Sequence, residues 1–250
     1  MRQRLGFIIS VIVFLALWEM LVLFGGISRL LIPTPVAVAG AVLQFFITPQ
    51  GLAAVSFTFL RFIAGLVSGV TLGVIFGSLL GLIPTMRRVL FPWVDFFRSI
   101  PASAFIPLLL LLFGIGDAAR LILIIIIVGL LMAVSTMMSL VNCSPTRRLV
   151  GKSLGLSRTQ LFFSVVLPEV LPNLSTALRL AISFSLILTV LGEMSIGGSA
   201  LGIGRIMQDA QLVYETPTLY AAIFVAGLLG YALNMGYACL EKNYIHWIGK

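Results

Sequence analysis

Residues 149–172 read LVGKSLGLSRTQLFFSVVLPEVLP, a polar and basic stretch between two long apolar runs. A few loop residues would be enough to join two membrane-spanning helices. A longer segment with its own helix signals indicates a structured projection outside the bilayer. This stretch therefore decides how the flanking apolar runs are interpreted.

The rest of the chain has the composition of an integral membrane protein. Of its 250 residues, 60% are hydrophobic and only 10% are charged, and the mean hydropathy is +1.16. Neither soluble domains nor disordered chains have this balance. Because a spanning helix needs about 20 mostly apolar residues, the sequence predicts an all-α membrane protein. Its six transmembrane helices are expected near residues 6–26, 56–83, 99–115, 119–141, 173–197 and 216–240.

The distribution of basic residues predicts the orientation of these helices. Eleven Lys and Arg residues fall on the side of residues 149–172 and three on the opposite side. Since cytoplasmic loops are enriched in Lys and Arg, this stretch and both chain termini are predicted to be cytoplasmic. The larger set comprises Arg2, Arg4, Arg87, Arg88, Arg98, Arg147, Arg148, Lys152, Arg158, Lys242 and Lys250, and the smaller set comprises Arg29, Arg120 and Arg205.

The polar stretch is predicted to contain two short helices. Ser144-Pro145-Thr146 is a helix-starting signal. Residues 146–154 can form a first helix, which Gly155 ends. Ser157 can cap a second helix over residues 158–166. Together they form a compact amphipathic projection.

The surface of this projection is suited to a partner protein. Pro168 and Pro172 oppose a simple continuation into the next span. Apolar side chains supply contact area in a partner's groove, and neighbouring basic side chains set the register. The apolar residues expected there are Leu154, Leu156, Leu161 and Phe162, and the basic ones are Lys152 and Arg158.

Gly151-Lys152-Ser153 looks like the end of a phosphate-binding loop. Such a loop needs another glycine five residues earlier, where this chain has Thr146, and a preceding strand. The sequence also shows no paired carboxylates, metal-ligating clusters or nucleophile–base arrangements. We therefore predict that the chain is not an enzyme, does not hydrolyse ATP and binds no metal.

Three charged residues within or near apolar helices are candidates for the translocation path. Glu19, Arg61 and Glu193 are all predicted to lie in the outer half of the membrane. Buried charges are costly and face either an aqueous cavity or a partner. They could line the path, or Arg61 could form an ion pair with one of the glutamates. Arg179, at the inner end of its span, is expected to extend to the membrane surface.

Glycines recur every fourth residue along the second predicted span. This spacing places them on one helix face and lets another helix approach closely. The face could pack within the subunit, or it could be a sliding or dimer contact. The glycines are Gly65, Gly69, Gly73, Gly77 and Gly81.

Four segments together resemble one family. Gly155, followed by nine residues and then Val165-Val166-Leu167-Pro168, resembles the EAA loop of binding-protein-dependent ABC transporter permeases. Residues 31–38, LIPTPVAV, are similar to the LLPSPxxV of permeases of the nitrate, sulfonate and taurine type. Residues 96–116, FFRSIPASAFIPLLLLLFGIG, are similar to their LRxIPxxAxxPLxxxWFGIG. Residues 191–202, LGEMSIGGSALG, are similar to their xAEMxxxxxGLG.

The resemblance implies a fold and a coupling site. The chain is expected to be a single transmembrane permease domain, 1–250, of the type I ABC importer kind. A coupling loop at about 144–168 would carry the coupling helix that docks on a cytoplasmic ATPase. This chain has Leu149-Val150-Gly151 where the family has Glu-Ala-Ala, so the family's acidic residue is missing. The implied coupling residues are Lys152, Leu154, Gly155, Leu156, Ser157, Arg158, Leu161 and Phe162.

The resemblance also implies the function and the partners. The chain would be the permease subunit of an ATP-driven importer in the bacterial inner membrane, with several spans in the lipid. Its solute would be nitrate, a sulfonate, taurine or a similar small organic anion, brought by an extracytoplasmic solute-binding protein. Cytoplasmic ABC ATPase subunits would bind ATP and Mg, a second permease copy would complete the path, and neither a cofactor nor nucleic acid would bind this chain.

Two other classes compete with this interpretation. A secondary transporter driven by an ion gradient often contains inverted repeats, and the two halves of this sequence show none. It would also leave the polar projection unexplained. A membrane-embedded enzyme or assembly factor is disfavoured by the residue inventory.

Overall fold

The computed structural model describes residues 2–26, 28, 30–198 and 201–244. Within them the chain is helical and contains no strand, so the all-α prediction is confirmed. Arg29 and Lys250, which entered the charge count, lie outside the described residues. The helices are α1 Arg2–Phe24, α2 Pro35–Ile47, α3 Pro49–Leu82, α4 Pro84–Arg98, α5 Phe105–Phe113, α6 Asp117–Val141, α7 Pro145–Ser153, α8 Arg158–Leu161, α9 Leu167–Ser195, α10 Ile203–Leu212 and α11 Thr216–Tyr244.

Several of these helices are long and apolar enough to cross a membrane. Among the described residues, four pass by length and composition: α3, α6, α11 and a continuous helix from Arg158 to Ser195 that contains α8 and α9. The described apolar segments of α1 and α2 are shorter. The predicted count of six spans is therefore not confirmed, whereas a membrane protein with several spans is.

The third predicted span, 99–115, corresponds only to the second arm of a bent helix pair. α4 and the segment Ala102–Phe113 meet at 90°, and together they could make a fifth crossing. Pro101 lies at the break with φ −57° and ψ 136° and begins a 3₁₀ turn that leads into α5. Because a proline offers no N–H and restricts the residue before it to extended conformations, α4 cannot continue past Ser99 and Ile100.

The chain forms two compact units. The described parts of 1–59 and 199–229 make the first unit, and those of 60–198 and 230–250 make the second. In the first unit Trp18 of α1 stacks on Phe224 of α11 with ring centroids 6.4 Å apart and donates its indole N–H to the Pro33 carbonyl over 3.1 Å. The Ile203 N–H, at the start of α10, donates to Thr58 Oγ1 over 2.9 Å.

The second unit is built on the packing of α6 against α9. Their apolar faces bury Ile124, Val128, Met132, Ala177, Ala181 and Leu188. The glycine face of α3 lies on α6, where added Cβ atoms would stand 2.6 Å from Ile124 Cγ2 at Gly65 and 2.5 Å from the Gly129 carbonyl at Gly73. The glycines thus pack within the chain, which is the first of the two alternatives left open by the sequence.

The prolines after the polar stretch do not interrupt the helix, contrary to the sequence prediction. α9 begins at Leu167 instead of near residue 173, and a π-helical turn over Phe162–Val166 joins it to α8. The Leu167 N–H bonds to the Phe162 carbonyl, five residues back. This wide turn displaces the carbonyls that the ring of Pro168 would otherwise meet, so the helix passes through it.

Candidate functional site

The segment predicted to be the coupling loop, residues 144–168 and called the coupling loop below, has the helix–glycine–helix form predicted from its sequence. Ser144 caps α7 by accepting a hydrogen bond from the Arg147 N–H over 3.4 Å. Gly155 follows α7 with φ +75°, a left-handed conformation that favours glycine. Ser157 and Gln160 then cap α8 reciprocally, with a Gln160 N to Ser157 Oγ distance of 3.3 Å and a Ser157 N to Gln160 Oε1 distance of 2.9 Å.

The polar residues predicted for coupling are at the surface. Lys152, Ser157 and Arg158 are exposed, and so is Gly155. The sequence of residues 144–168 contains no Asp or Glu. The nearest carboxylate along the chain, Glu169, is occupied by contacts with Cys143, Ser144 and Arg147. The loop therefore presents basic charge with no acidic charge of its own.

The apolar residues predicted for coupling divide into two groups. Leu154 is 75% exposed, and Leu156 is half-buried. Leu161 and Phe162 turn inward: Leu161 lies against the buried Gly151, and Phe162 packs on the core formed by Leu140, Cys143, Val166 and Val170. Half-buried side chains that fill their own core have little surface left for a partner.

Other apolar side chains, missed by the sequence reasoning, are exposed in the same loop. Leu149, Val150 and Phe163 are all more than half exposed. Val150 and Leu154 are four residues apart around the end of α7, a spacing that places two side chains on one helix face. The signal was present in the sequence, because Leu149-Val150 replaces the Glu-Ala of the family's loop.

A cleft of about 460 Å³ lies between α7 and the π-helical turn. Its walls are largely apolar, with Arg147 and Glu169 among the lining residues. The lining residues are Thr146, Arg147, Val150, Gly151, Leu154, Leu156, Ser164, Val165, Pro168 and Glu169. The loop consequently combines a protruding Leu154 with a concave surface beside it.

Two of the three charged path candidates, Arg61 of α3 and Glu193 of α9, lie together, and Asp117 of α6 joins them. Arg61 Nη1 lies 2.7 Å from Glu193 Oε1, and Arg61 Nε lies 2.8 Å from Asp117 Oδ1. Arg61 is 5% exposed and Glu193 is 1% exposed. The ion pair is thus the arrangement observed for these two residues, while a part in the translocation path stays a prediction.

Arg120 extends this cluster, although the sequence reasoning treated it only as a charge outside the membrane. It is 1% exposed, its Nη1 lies 2.7 Å from Asp117 Oδ1, and its Nη2 donates to the Gly197 carbonyl just after α9. We call Arg61, Asp117, Arg120 and Glu193 the charge network. Arg61, Arg120 and Glu193 are buried, whereas the side chain of Asp117 is about half exposed. The two positive and two negative charges offset each other, which makes the burial of these three residues tolerable.

The remaining charged helix residues have different surroundings. Glu19 is half-buried in α1, and its Oε2 atom is buried without a hydrogen-bond partner among the described residues. Arg179 is about half exposed and forms an ion pair with Glu241 of α11, and its extension to the membrane surface stays a prediction. Ser175 donates to the same carboxylate. Within the described part of the chain no cluster of three or more His, Cys, Asp or Glu side chains could hold a metal ion.

Comparison with known proteins identifies relatives along nearly the whole chain. The permease protein TauC of the taurine transport system of Escherichia coli K12 is 29% identical over 246 residues, covering 95% of this chain and 88% of that protein. The nitrate import permease protein NrtB of Synechocystis is 27% identical and covers 94% of this chain and 86% of its own length. A putative aliphatic sulfonates transport permease protein, SsuC of Bacillus subtilis, is 24% identical, with 98% and 90% coverage.

Solved structures share the fold. A chain of the MetNI methionine ABC transporter in an inward-facing conformation matches with a TM-score of 0.59 at 19% identity, covering 87% of this chain and 99% of its own. A chain of an amino acid ABC transporter matches with a TM-score of 0.60 at 15% identity, covering 84% and 97%. These likenesses concern architecture alone.

A sequence model of one protein family matches most of this chain. The model of the binding-protein-dependent transport system inner membrane component matches residues 69–246, well over half of the chain. That range includes the coupling loop and most of the charge network. The relatives give no support to an ion-gradient-driven transporter. This chain belongs to the binding-protein-dependent ABC transporter permeases, and its relatives are those of the nitrate, sulfonate and taurine type.

Proposed function

We propose that the chain forms the membrane path of an ATP-driven importer for a small sulfonate or oxyanion, with both termini and the coupling loop in the cytoplasm of a bacterium. A separate ATPase subunit binds ATP and Mg, and an extracytoplasmic protein delivers the solute. Two copies of the chain complete the path, so that two coupling loops meet two ATPase subunits.

The coupling loop is the observation that carries this proposal. A partner protein can move membrane helices only if the segment that it contacts is rigid and transmits the displacement. Both short helices of the loop are capped, and the loop leaves from α6 and returns into α9, the two helices that form the core of the second unit. A displacement of the loop therefore reaches the centre of this unit.

The chemistry of the loop favours an acidic groove on the ATPase. Leu154, Val150 and Leu149 supply exposed apolar area, and Lys152 and Arg158 lie among them without a carboxylate of the loop to neutralise them. Opposite charge on the partner steers docking and fixes its register. Because the family's acidic residue is absent here, the ATPase would supply the negative charges of the contact.

The solute class rests on the names of the relatives and on the charges of the helices. Taurine and aliphatic sulfonates both carry a sulfonate group, which shares with nitrate a compact, delocalised negative charge. The guanidinium groups of Arg61 and Arg120 are already paired with carboxylates. A path in which these cations are neutralised would bind a passing anion weakly, which suits release into the cell and leaves selection to the delivering protein.

Reconstitution tests this function. The chain is inserted into liposomes with its ATPase and its solute-binding protein, and the uptake of radiolabelled taurine, ethanesulfonate and nitrate is measured with and without ATP. Uptake of one of these solutes should need ATP, the ATPase and the binding protein together. Leu154→Asp should abolish both uptake and co-purification of the ATPase, whereas Leu154→Met keeps the apolar area and should retain both. Uptake driven by an ion gradient alone would contradict the proposal.

A further inference from the structure

Glu169 joins the two ends of the coupling loop. It lies in the first turn of α9, and its Oε1 accepts a hydrogen bond from the Ser144 N–H over 2.9 Å, just before α7 begins. Its Oε2 accepts from the Cys143 thiol over 3.0 Å. The carboxylate of Glu169 thus connects the two ends of the segment 145–168, where the chain leaves α6 and where it enters α9.

This junction is partly shielded from water. The side chain of Glu169 is 17% exposed and stands beside the apolar core of Leu140, Cys143, Val166 and Val170. Hydrogen bonds to a charged acceptor are stronger where water is scarce. The additional ion pair with Arg147, at 3.3 Å, contributes little because Arg147 is largely exposed.

The segment that Glu169 holds is the place where the loop could bend. α6 ends at Val141 and α7 begins at Pro145, so Asn142, Cys143 and Ser144 form a short non-helical connection. Arg148 supports the α6 side of this connection by donating to the Leu140 carbonyl over 2.7 Å. On the α9 side the carboxylate of Glu169 supplies the polar contacts. No other acidic residue occurs between Asp117 and Glu193 in the sequence.

We propose that Glu169 is a positioning residue for energy coupling: it makes the coupling loop rigid with α9, so that a push on α7 and α8 moves the helices instead of bending the connection at 142–144. This inference rests on the proposed function, because it needs an ATPase to deliver the push. Glu169 itself is only 17% exposed and need not touch the ATPase.

Such a role separates docking from coupling. The exposed side chains that meet the ATPase, Leu154 and Lys152 among them, stay in place when Glu169 is shortened. ATP hydrolysis by the assembled complex should then continue, while fewer solute molecules cross for each ATP consumed. A merely structural role would instead lower the amount of assembled complex and leave the ratio of uptake to hydrolysis unchanged in what remains.

The test uses the full complex of permease, ATPase and binding protein in liposomes. For Glu169→Ala, the ratio of solute imported to ATP hydrolysed should fall about tenfold, the size expected when a partly buried hydrogen bond to a charged group is lost. Co-purification of the ATPase should stay at the wild-type level. Glu169→Gln keeps an oxygen acceptor for the Ser144 N–H and should restore most of the ratio.

A second pair of variants approaches the same bond from its donor. Ser144→Pro removes the N–H that donates a hydrogen bond to Glu169. The backbone φ of −55° at residue 144 already suits proline. Ser144→Ala removes only the hydroxyl cap of α7 and keeps the N–H. The proline variant should lose coupling and the alanine variant should keep it, and this pair decides the matter if Glu169→Ala does not assemble.

The possible outcomes separate the inference from the proposed function. If the wild-type complex shows no ATP-driven uptake, the proposed function fails. If the wild type is active and both Glu169→Ala and Ser144→Pro import solute at the wild-type ratio, the inference alone is overturned. Equal losses in Ser144→Ala and Ser144→Pro would also overturn it, because the cap rather than the carboxylate would then be responsible.

Discussion

The coupling loop and the charge network belong to the same unit but differ in the burial and pairing of their charged side chains. In the network, Arg61, Arg120 and Glu193 are almost fully buried, and their charges meet opposite charges within the chain. In the loop, Lys152 and Arg158 are exposed among apolar side chains. Buried, mutually satisfied charges fix a fold, whereas exposed charges of one sign are available to a partner. The predicted path residues Arg61 and Glu193 are therefore held by the protein itself, and the predicted coupling residues Lys152 and Arg158 are open to another molecule.

The largest effect should come from breaking the network. Arg61→Met leaves Glu193 buried without its cationic partner, which should destabilise the protein by about 3–5 kcal/mol. The exposed pair Arg205–Asp209 is the control, since Arg205→Met should change stability by less than about 1 kcal/mol. Thermal unfolding in detergent, followed by size-exclusion chromatography, measures both. Similar shifts for the two variants would mean that the network is not the structural lock inferred from its geometry.

The next effect concerns the glycine face that supports both regions. Gly73→Ala places a Cβ atom 2.5 Å from the Gly129 carbonyl of α6, a backbone atom that cannot move aside alone. Overpacking of this kind destabilises by about 1–3 kcal/mol. In α11, Gly227 has no atom within 4 Å of an added Cβ, so Gly227→Ala should stay within about 1 kcal/mol of the wild type. The same thermal assay compares them.

A smaller change in stability, but a large one in transport, should follow from substituting Gly155. Its φ of +75° strains a β-branched residue by about 1–2 kcal/mol, although no atom lies within 4 Å of an added Cβ. Gly155→Val should therefore distort the turn between α7 and α8 and reduce ATPase co-purification and uptake. Asparagine tolerates this conformation, so Gly155→Asn should retain both. Full activity of the valine variant would refute the role given to this turn.

The smallest effect concerns the reactivity of the Cys143 thiol, which lies where the coupling loop leaves α6. Burial, with a contribution from the hydrogen bond to Glu169, raises the pKa of the Cys143 thiol above its ordinary value. Cys143 thus stays protonated at pH values where a free thiol begins to ionise, and it should react with maleimide more slowly in the folded protein than after unfolding. Raising the pH should accelerate the labelling of Cys143. In Glu169→Ala the same acceleration should occur at a lower pH, and mass spectrometry of the labelled peptide measures both rates.

Local features of the loop were predictable because they depend on neighbouring residues. Ser157 with Gln160, and Gly155 between two short helices, are signals that span three or four positions. The glycine face of α3 was equally readable, since its period matches the helix. The pairing of Arg61 with a glutamate could be expected from the cost of burying either charge alone.

Features that depend on distant contacts could not be predicted. Asp117 and Arg120 join the charge network only because α6 is in register with α3 and α9, and no pattern in the sequence encodes that register. Leu161 turns inward because Gly151 has no side chain and leaves room for it. Phe162 turns inward because it packs on the apolar core beside Val166. The helix continues through Pro168 only because a π-helical turn precedes it, and such a turn cannot be predicted from a single sequence.

That π-helical turn can also be described as an insertion. A π turn is equivalent to one extra residue in an α-helix, and each residue of an α-helix advances the chain by about 100° around the axis. Deleting one residue within Phe162–Val166 would restore an ordinary helix and swing everything before it, including Leu154 and Lys152, to another side of α9. A single codon therefore sets the direction in which the projection points, and a reading-frame-preserving loss there would redirect Leu154 and Lys152 without changing either residue.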